Sequence, residues 1–183
     1  YPAAECTLED DEAWKLLVEV RLAAQCTDER VNVVVKELYK KYPTVASIAK
    51  ATPEEIEAFV KPCGLGKSKS KDICACMRIL HEKYNDTVPD SFEALLSLPG
   101  VGRKSANVIM LEAFNQPQGI AVDTHAKRLS NRIGLSSETD PLKIEMDLKN
   151  IIPYSYFKDV NHLFMWHGRN ICTARNPKCE SCP

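Results

Sequence analysis

Leu98-Pro99-Gly100-Val101-Gly102-Arg103-Lys104-Ser105-Ala106-Asn107 is the stretch on which the reading of this chain turns. An apolar helical run, Phe92 to Leu98, stops at Pro-Gly. A second Gly follows two residues later, and a new apolar run with helical spacing extends from Ala106 to Phe114. Gly100 and Gly102 permit backbone angles that a residue with a Cβ resists, and they let the backbone approach a ligand closely. The amides of Gly100, Val101, Gly102 and Arg103 then stand at a helix N-terminus, where unbonded N–H groups and the helix dipole attract an anion. The stretch predicts helix, tight hairpin, helix, with a phosphate docked on the hairpin. The same glycines also fit a helix–helix turn that needs them for geometry alone. Lys104 favours the anion, because it sets an amine one step inside the anion-binding end.

The surrounding composition is ordinary and excludes more than it assigns. At 183 residues the chain can form one domain with a real core, or two small ones. It contains no run of eighteen apolar residues, so no membrane helix is expected. Its first residues lack the basic start and apolar core of a signal peptide. The net charge of −1 does not announce a nucleic-acid partner, but the distribution is uneven. Glu5 to Glu12 is acidic, whereas Lys61, Lys67, Lys69 and Lys71 cluster, as do Arg169, Arg175 and Lys178. Each cluster alone reads as a solvated face. Two of them accompanying a phosphate-binding hairpin make a DNA footprint.

Eight Cys without a secretion signal point to a reducing compartment, with thiols or metal ligands rather than disulfides. Cys6, Cys26, Cys63, Cys74 and Cys76 lack metal-ligand spacing and read as small buried residues. Cys172, Cys179 and Cys182 are different: three thiols within eleven residues, in a segment with Pro177, form a ligand array. Spacing alone makes zinc the generic occupant.

Taken in order, the chain reads as helices throughout. Glu9 to Ala24 has helical spacing at Trp14, Leu17, Val18 and Leu22. Thr27 or Asp28 caps a second helix reaching about Lys41; its valines favour a strand by propensity, but the cap and Glu37-Leu38-Tyr39 favour a helix. Val45–Lys50 is a short helix. Thr52-Pro53-Glu54-Glu55 is a capping box that starts a helix ending near Lys61, and Cys63-Gly64-Leu65-Gly66 is a flexible loop. A longer helix spans about Ser68 to Tyr84, and Pro89-Asp90-Ser91 begins the helix that enters the hairpin. Beyond Phe114, Ile120-Ala121-Val122 is short and extended. Asp123 or Thr124 then caps a helix to Ile133, and Pro141–Ile151 and Phe157–Gly168 follow. The tail is irregular.

Leu98–Asn107 together with Ala121-Val122-Asp123-Thr124-His125 resembles the helix-hairpin-helix DNA glycosylase superfamily, over about Trp14 to Cys182. The resemblance implies an all-α protein of two helical lobes: a barrel of about six helices, residues 6–114, and a second lobe from residues 1–5 and 115–183. It places Lys104 and Asp123 in a cleft between them. It also implies base-excision repair of double-stranded DNA by a monomer, cytoplasmic and with the nucleoid if the source is bacterial. The activity would be that of a bifunctional glycosylase and abasic-site lyase acting on oxidised pyrimidines.

Residue by residue, the resemblance makes Lys104 the nucleophile toward the sugar C1′. A lysine at a helix N-terminus meets like charge, and that placement, Arg103 and partial burial favour the neutral, nucleophilic amine. Asp123, nineteen residues on, is a helix cap by its local sequence and, by the resemblance, the carboxylate that stabilises charge on the sugar. A base must leave the stack before it is reached. Gln25 and Leu65 match positions where the family inserts side chains into the duplex. Asp28 matches a cleft position that an N-cap explains, and His125 and Arg128 match polar neighbours of the catalytic Asp. For Cys172, Cys179 and Cys182 the resemblance implies a [4Fe–4S] cluster, whose fourth Cys ligand usually lies about five residues further and is not in this sequence. The cluster would order a loop presenting Arg175 and Lys178 to phosphates.

Overall fold

The computed structural model describes Tyr1, residues 6–8 and residues 12–183. All regular structure among these residues is helical, and the chain divides into two compact units, Thr7–Phe114 and Tyr1–Cys6 with Asn115–Pro183. None of the described helices is long and apolar enough to cross a membrane.

The Thr7–Phe114 unit holds α1 (Ala13–Leu22), α2 (Asp28–Lys41), α3 (Val45–Lys50), α4 (Pro53–Val60), α5 (Gly66–Lys83), α6 (Phe92–Leu96) and α7 (Arg103–Glu112). The valine-rich α2 is settled by periodicity. Val31, Val34, Val35 and Leu38 are buried while Val33 is 69% exposed, which is a helical face and not a strand alternation. Thr27 caps it, accepting from the Arg30 amide at 3.4 Å. The Thr52–Glu55 box forms as read, Thr52 Oγ1 accepting from the Glu55 amide and the Thr52 amide donating to Glu55 Oε2 at 2.8 Å. Helix α5 packs on α3 and α4 and buries Ile73, Cys74, Cys76, Met77 and Leu80. Each such apolar side chain contributes about 2 kcal/mol by leaving water.

Three expectations change in this unit. Helix α1 starts at Ala13; residues 9–11 of the expected helix lie outside the described residues. The segment read as a flexible loop at 63–66 is compact. Lys61–Cys63 is a 3-10 turn, Gly64 has φ +72, and Gly66 already belongs to α5, two residues ahead of the expected start. A Cβ on Gly66 would lie 3.0 Å from the Lys61 Cα, so this helix end is closely packed against the preceding turn. Lys69, counted by sequence with the basic cluster, is fully buried.

The other unit holds α8 (Thr124–Arg132), α9 (Pro141–Ile151) and α10 (Phe157–Asn170) around a core of Ile120, Val122, Ala126, Leu129, Ile144, Leu148, Phe157, Val160 and Phe164. Residues 120–122 are buried and non-helical, and they deliver Asp123 to the N-cap of α8. Gly168 lets α10 approach α8 closely: a Cβ there would stand 2.6 Å from His125 Nδ1 and 2.9 Å from an Arg128 terminal nitrogen.

Of the five cysteines read as buried, Cys63, Cys74 and Cys76 are so, while Cys6 and Cys26 are half-buried. Burial pushes the Cys76 thiol up to about 12, and Cys63 to about 11 with help from the Cys26 thiol bonded to it.

Candidate active site and nucleic-acid interface

The hairpin is a turn of type II composition. Pro99 stands at its second position, Gly100 at its third with φ +77, and the Val101 amide closes it onto the Leu98 carbonyl at 3.2 Å. Gly100 is required twice over. Its φ is left-handed, and a Cβ would overlap Arg21 Cδ and Nε at 2.8 Å and Asp72 Cβ at 2.9 Å. Those two side chains form a part-buried ion pair, Arg21 donating to Asp72 Oδ2 through Nε at 2.9 Å and Nη2 at 2.6 Å. The hairpin backbone therefore rests on a fixed charged platform supplied by α1 and α5.

Gly102 is a contrast. It has φ −97, nothing stands within 4 Å of where its Cβ would be, and as N-cap it leaves α7 with no side-chain cap. The first amides of α7 thus open onto accessible space, the arrangement that binds an anion. Arg103 is exposed, with its guanidinium over the Phe92 ring at 5.1 Å. Lys104, second residue of α7, is exposed and not partly buried as the sequence reading had it.

In the other unit Asp123 does act as a cap, Oδ1 accepting from the Ala126 amide at 2.7 Å. His125 Nδ1 accepts from Arg128 at 3.1 Å. Burial, aided by Arg128 and Arg169 and opposed by Asp123, lowers the His125 pKa. Arg128 is not a free surface cation. It also donates to the Gly168 carbonyl at 2.9 Å and twice to the Cys172 carbonyl at 3.0 and 3.1 Å.

Arg132, which the sequence reading did not single out, donates to the carbonyls of Thr173 at 2.8 Å and Ala174 at 3.1 Å, and its Nη1 lies 3.3 Å from Cys172 Sγ. The loop they hold is closed by the Lys178 amide on the Ile171 carbonyl at 3.0 Å, with Thr173 Oγ1 donating to the Arg175 carbonyl at 2.6 Å. Arg175 and Lys178 project from it, exposed. Arginines at i and i+4 on α8 were the signal available in the sequence.

Cys172, Cys179 and Cys182 are free thiols, the first half-buried and the others exposed. An N–H donor at Cys172 Sγ suits a thiolate ligand, and Cys182 Sγ lies 3.8 Å from His167 Nε2. Among the described residues no three metal-binding side chains converge into a finished site. The donor set itself, three thiols on one clasped segment, fits three of the four positions of a [4Fe–4S] group.

Gln25 and Leu65 share an unusual backbone. Six non-glycine residues have positive φ; four are Asn or Asp, which tolerate it, and the other two are Gln25 at φ 58 and Leu65 at φ 50. Gln25 is exposed in the α1–α2 connection, and Leu65, 58% exposed, is the N-cap of α5. Lys61, Lys67 and Lys71 are exposed and line one hollow with Leu65.

These features match known proteins. A family model described as the HhH-GPD superfamily base excision DNA repair protein matches residues 18–154, and the chain belongs to that superfamily. Within it, the chain is similar to endonuclease III of Synechocystis sp., 43% identical over 182 residues, which is 100% of this chain and 83% of that protein. It is 40% identical to endonuclease III of Escherichia coli over 169 residues, 92% of this chain and 80% of that one. Among solved structures, a trapped endonuclease III–DNA covalent intermediate superposes with a TM-score of 0.95 at 40% identity, covering 100% of this chain and 85% of that chain.

Proposed function

We propose that Lys104 and Asp123 perform the chemistry of this chain on double-stranded DNA carrying oxidised pyrimidines or abasic sites. The chain is a bifunctional DNA glycosylase and abasic-site lyase of base-excision repair. The lone pair of Lys104 Nζ forms a bond to the deoxyribose C1′. The glycosidic bond breaks, and its electrons leave with the base, which takes a proton. Ring opening gives a Schiff base, and loss of a C2′ proton then expels the 3′ phosphate by β-elimination. Asp123 stabilises positive charge on the sugar as the base leaves and assists proton removal from the lysine, while Oδ1 keeps α8 capped. The hairpin amides dock a phosphate, so the contact fixes register and reads no sequence. Gln25 and Leu65 fill the gap left by the extruded base. Their strained backbones on exposed residues support this, because such outliers persist where function holds them. Arg128 acts through the tail loop, which presents Arg175 and Lys178 to the backbone. Cys172, Cys179 and Cys182 would hold an iron–sulfur cluster, which supplies structural order to the segment after Lys178 and takes no part in the steps above.

The observation that carries this reading is Lys104, an exposed amine on the first turn of α7 beside an uncapped helix end with open space before it. A solved relative described as a covalent DNA intermediate supports it. The test is borohydride trapping on abasic-site DNA. Wild type should give a covalent adduct and cut the strand. Lys104→Gln should give neither, with its melting curve and most DNA affinity retained. Cleavage by the pure variant at the wild-type rate would overturn the mechanism.

A further inference from the structure

We propose that Lys69 is a positioning residue for the reaction, one ammonium that sets the Gln25 and Leu65 loops together as a single insertion device. The inference rests on the reading of those two side chains as the groups inserted into the duplex.

Lys69 is 0% exposed. Placing a charged amine in an interior is costly unless its donors are used. Here they are used on two backbone carbonyls, Leu22 O and Cys63 O, each at 2.8 Å. Leu22 is the last residue of α1, and Cys63 the last residue of the 3-10 turn before α5. Carbonyls at such ends have no partner within their own helix and carry the negative end of the dipole, so a cation there is well matched. Gln25 lies three residues beyond the first carbonyl and Leu65 two beyond the second, and both stand in the left-handed region. The exits of both strained turns are therefore tied to the same nitrogen. Cys26 and Cys63 add a second link between the same two segments through a thiol–thiol hydrogen bond. Burial lowers the Lys69 pKa, and the two thiols oppose that shift. An apolar residue would fill this volume without desolvating a charge, but it would leave both exits unfixed.

The separating measurement is a double-mutant cycle. Duplex DNA is prepared with a stable abasic analogue opposite 2-aminopurine, whose fluorescence rises as it unstacks. Lys69→Met keeps the stem and removes the donors. In the wild-type background it should diminish the fluorescence rise and weaken binding to this duplex by about tenfold, with undamaged duplex affected by less than about twofold. In the Gln25→Ala/Leu65→Ala background the same substitution should change neither by more than about twofold. Equal losses in the two backgrounds, or equal losses on damaged and undamaged DNA, would assign Lys69 to general stability and overturn the proposal. A Gln25→Ala/Leu65→Ala protein that unstacks and binds like wild type would overturn the insertion reading itself, and the inference with it. Should Lys69→Met lose its cooperative melt, wild type is followed by 15N NMR of the lysine ammonium. The Lys69 signal should couple across hydrogen bonds to the Leu22 and Cys63 carbonyl carbons and should shift when the abasic duplex binds. That shift should be missing in Gln25→Ala/Leu65→Ala. A signal indifferent to DNA in the wild type would equally overturn the proposal.

Discussion

Two glycines two residues apart do different work, and substitution separates them. Gly100→Ala forces a Cβ into a left-handed backbone and into the Arg21–Asp72 pair, so it should lower stability by about 3 kcal/mol, read as a lower melting temperature. Gly102→Val has ordinary φ and open space, so its stability loss should stay below about 1 kcal/mol. Its effect should fall on DNA, with affinity reduced for damaged and undamaged duplex alike in a binding titration. Loss confined to damaged duplex would contradict docking of phosphate at that helix end. Gly100, Gly102 and Lys104 were legible in sequence because each works through its own backbone or its place on a helix. Lys69 was not. Within Lys67-Ser68-Lys69-Ser70-Lys71 it reads like its neighbours, and only the depth of α5 and two carbonyls distant in sequence or fixed by a turn separate it from them. The positive φ of Gln25 and Leu65 was equally hidden, since neither residue type advertises that conformation.

Helix α8 gathers more of the site than its sequence suggested. Its first turn carries Asp123 as cap and His125, and its later turns carry Arg128 and Arg132 onto the tail loop. The His125 pKa is lowered in the folded protein from its ordinary value of 6.5. The unfolded chain therefore binds the proton more readily. Stability should be full above about pH 6.5 and decline as pH falls through 6.5 toward the folded pKa. His125→Gln should flatten that decline in melting temperatures taken between pH 7.5 and 5; an unaltered slope would show that another group carries it. Arg132→Met removes three donors from the tail loop and should raise amide exchange across Thr173–Lys178 while leaving α8 protected. Unserved carbonyls there should lower stability by about 1–2 kcal/mol. The caps at Thr27, Thr52 and Asp123 were readable because a side chain bonding an amide three residues on is a local event. The start of α5 was misplaced because Leu65 is an unusual N-cap, held by the turn before it and not by its own chemistry.

At the scale of the whole chain, net charge says little about DNA, since −1 hides cations gathered on particular segments. Arg175→Gln or Lys178→Gln should each reduce the slope of log affinity against log salt by about 0.9 if each neutralises one phosphate. Both should leave borohydride trapping at low salt close to wild type. An unchanged slope would remove that residue from the interface. The tail loop up to Lys178 is held by protein hydrogen bonds, so the cluster is not needed to shape it, contrary to the sequence-based expectation. A chain carrying a fourth Cys about five residues past Cys182 should contain iron and sulfide when prepared anaerobically. Chelation should then disorder Cys179–Cys182 and leave Thr173–Lys178 protected from exchange; stoichiometric zinc without sulfide would sink the cluster assignment. All-helical architecture was legible because periodicity and caps repeat along the whole chain. The arginine clasp was not, since it joins residues about forty positions apart.

The left-handed backbone at Leu65 also bears on how this protein changes under selection. Glycine would occupy φ 50 without strain, so Leu65→Gly relieves about 1 kcal/mol of conformational energy at an exposed position. A library of variants screened only for heat resistance should therefore enrich glycine or asparagine at residue 65, and at Gln25 for the same reason, while repair activity drains from the population. The two positions are places where tolerance of heat and capacity to mend DNA pull the sequence in opposite directions.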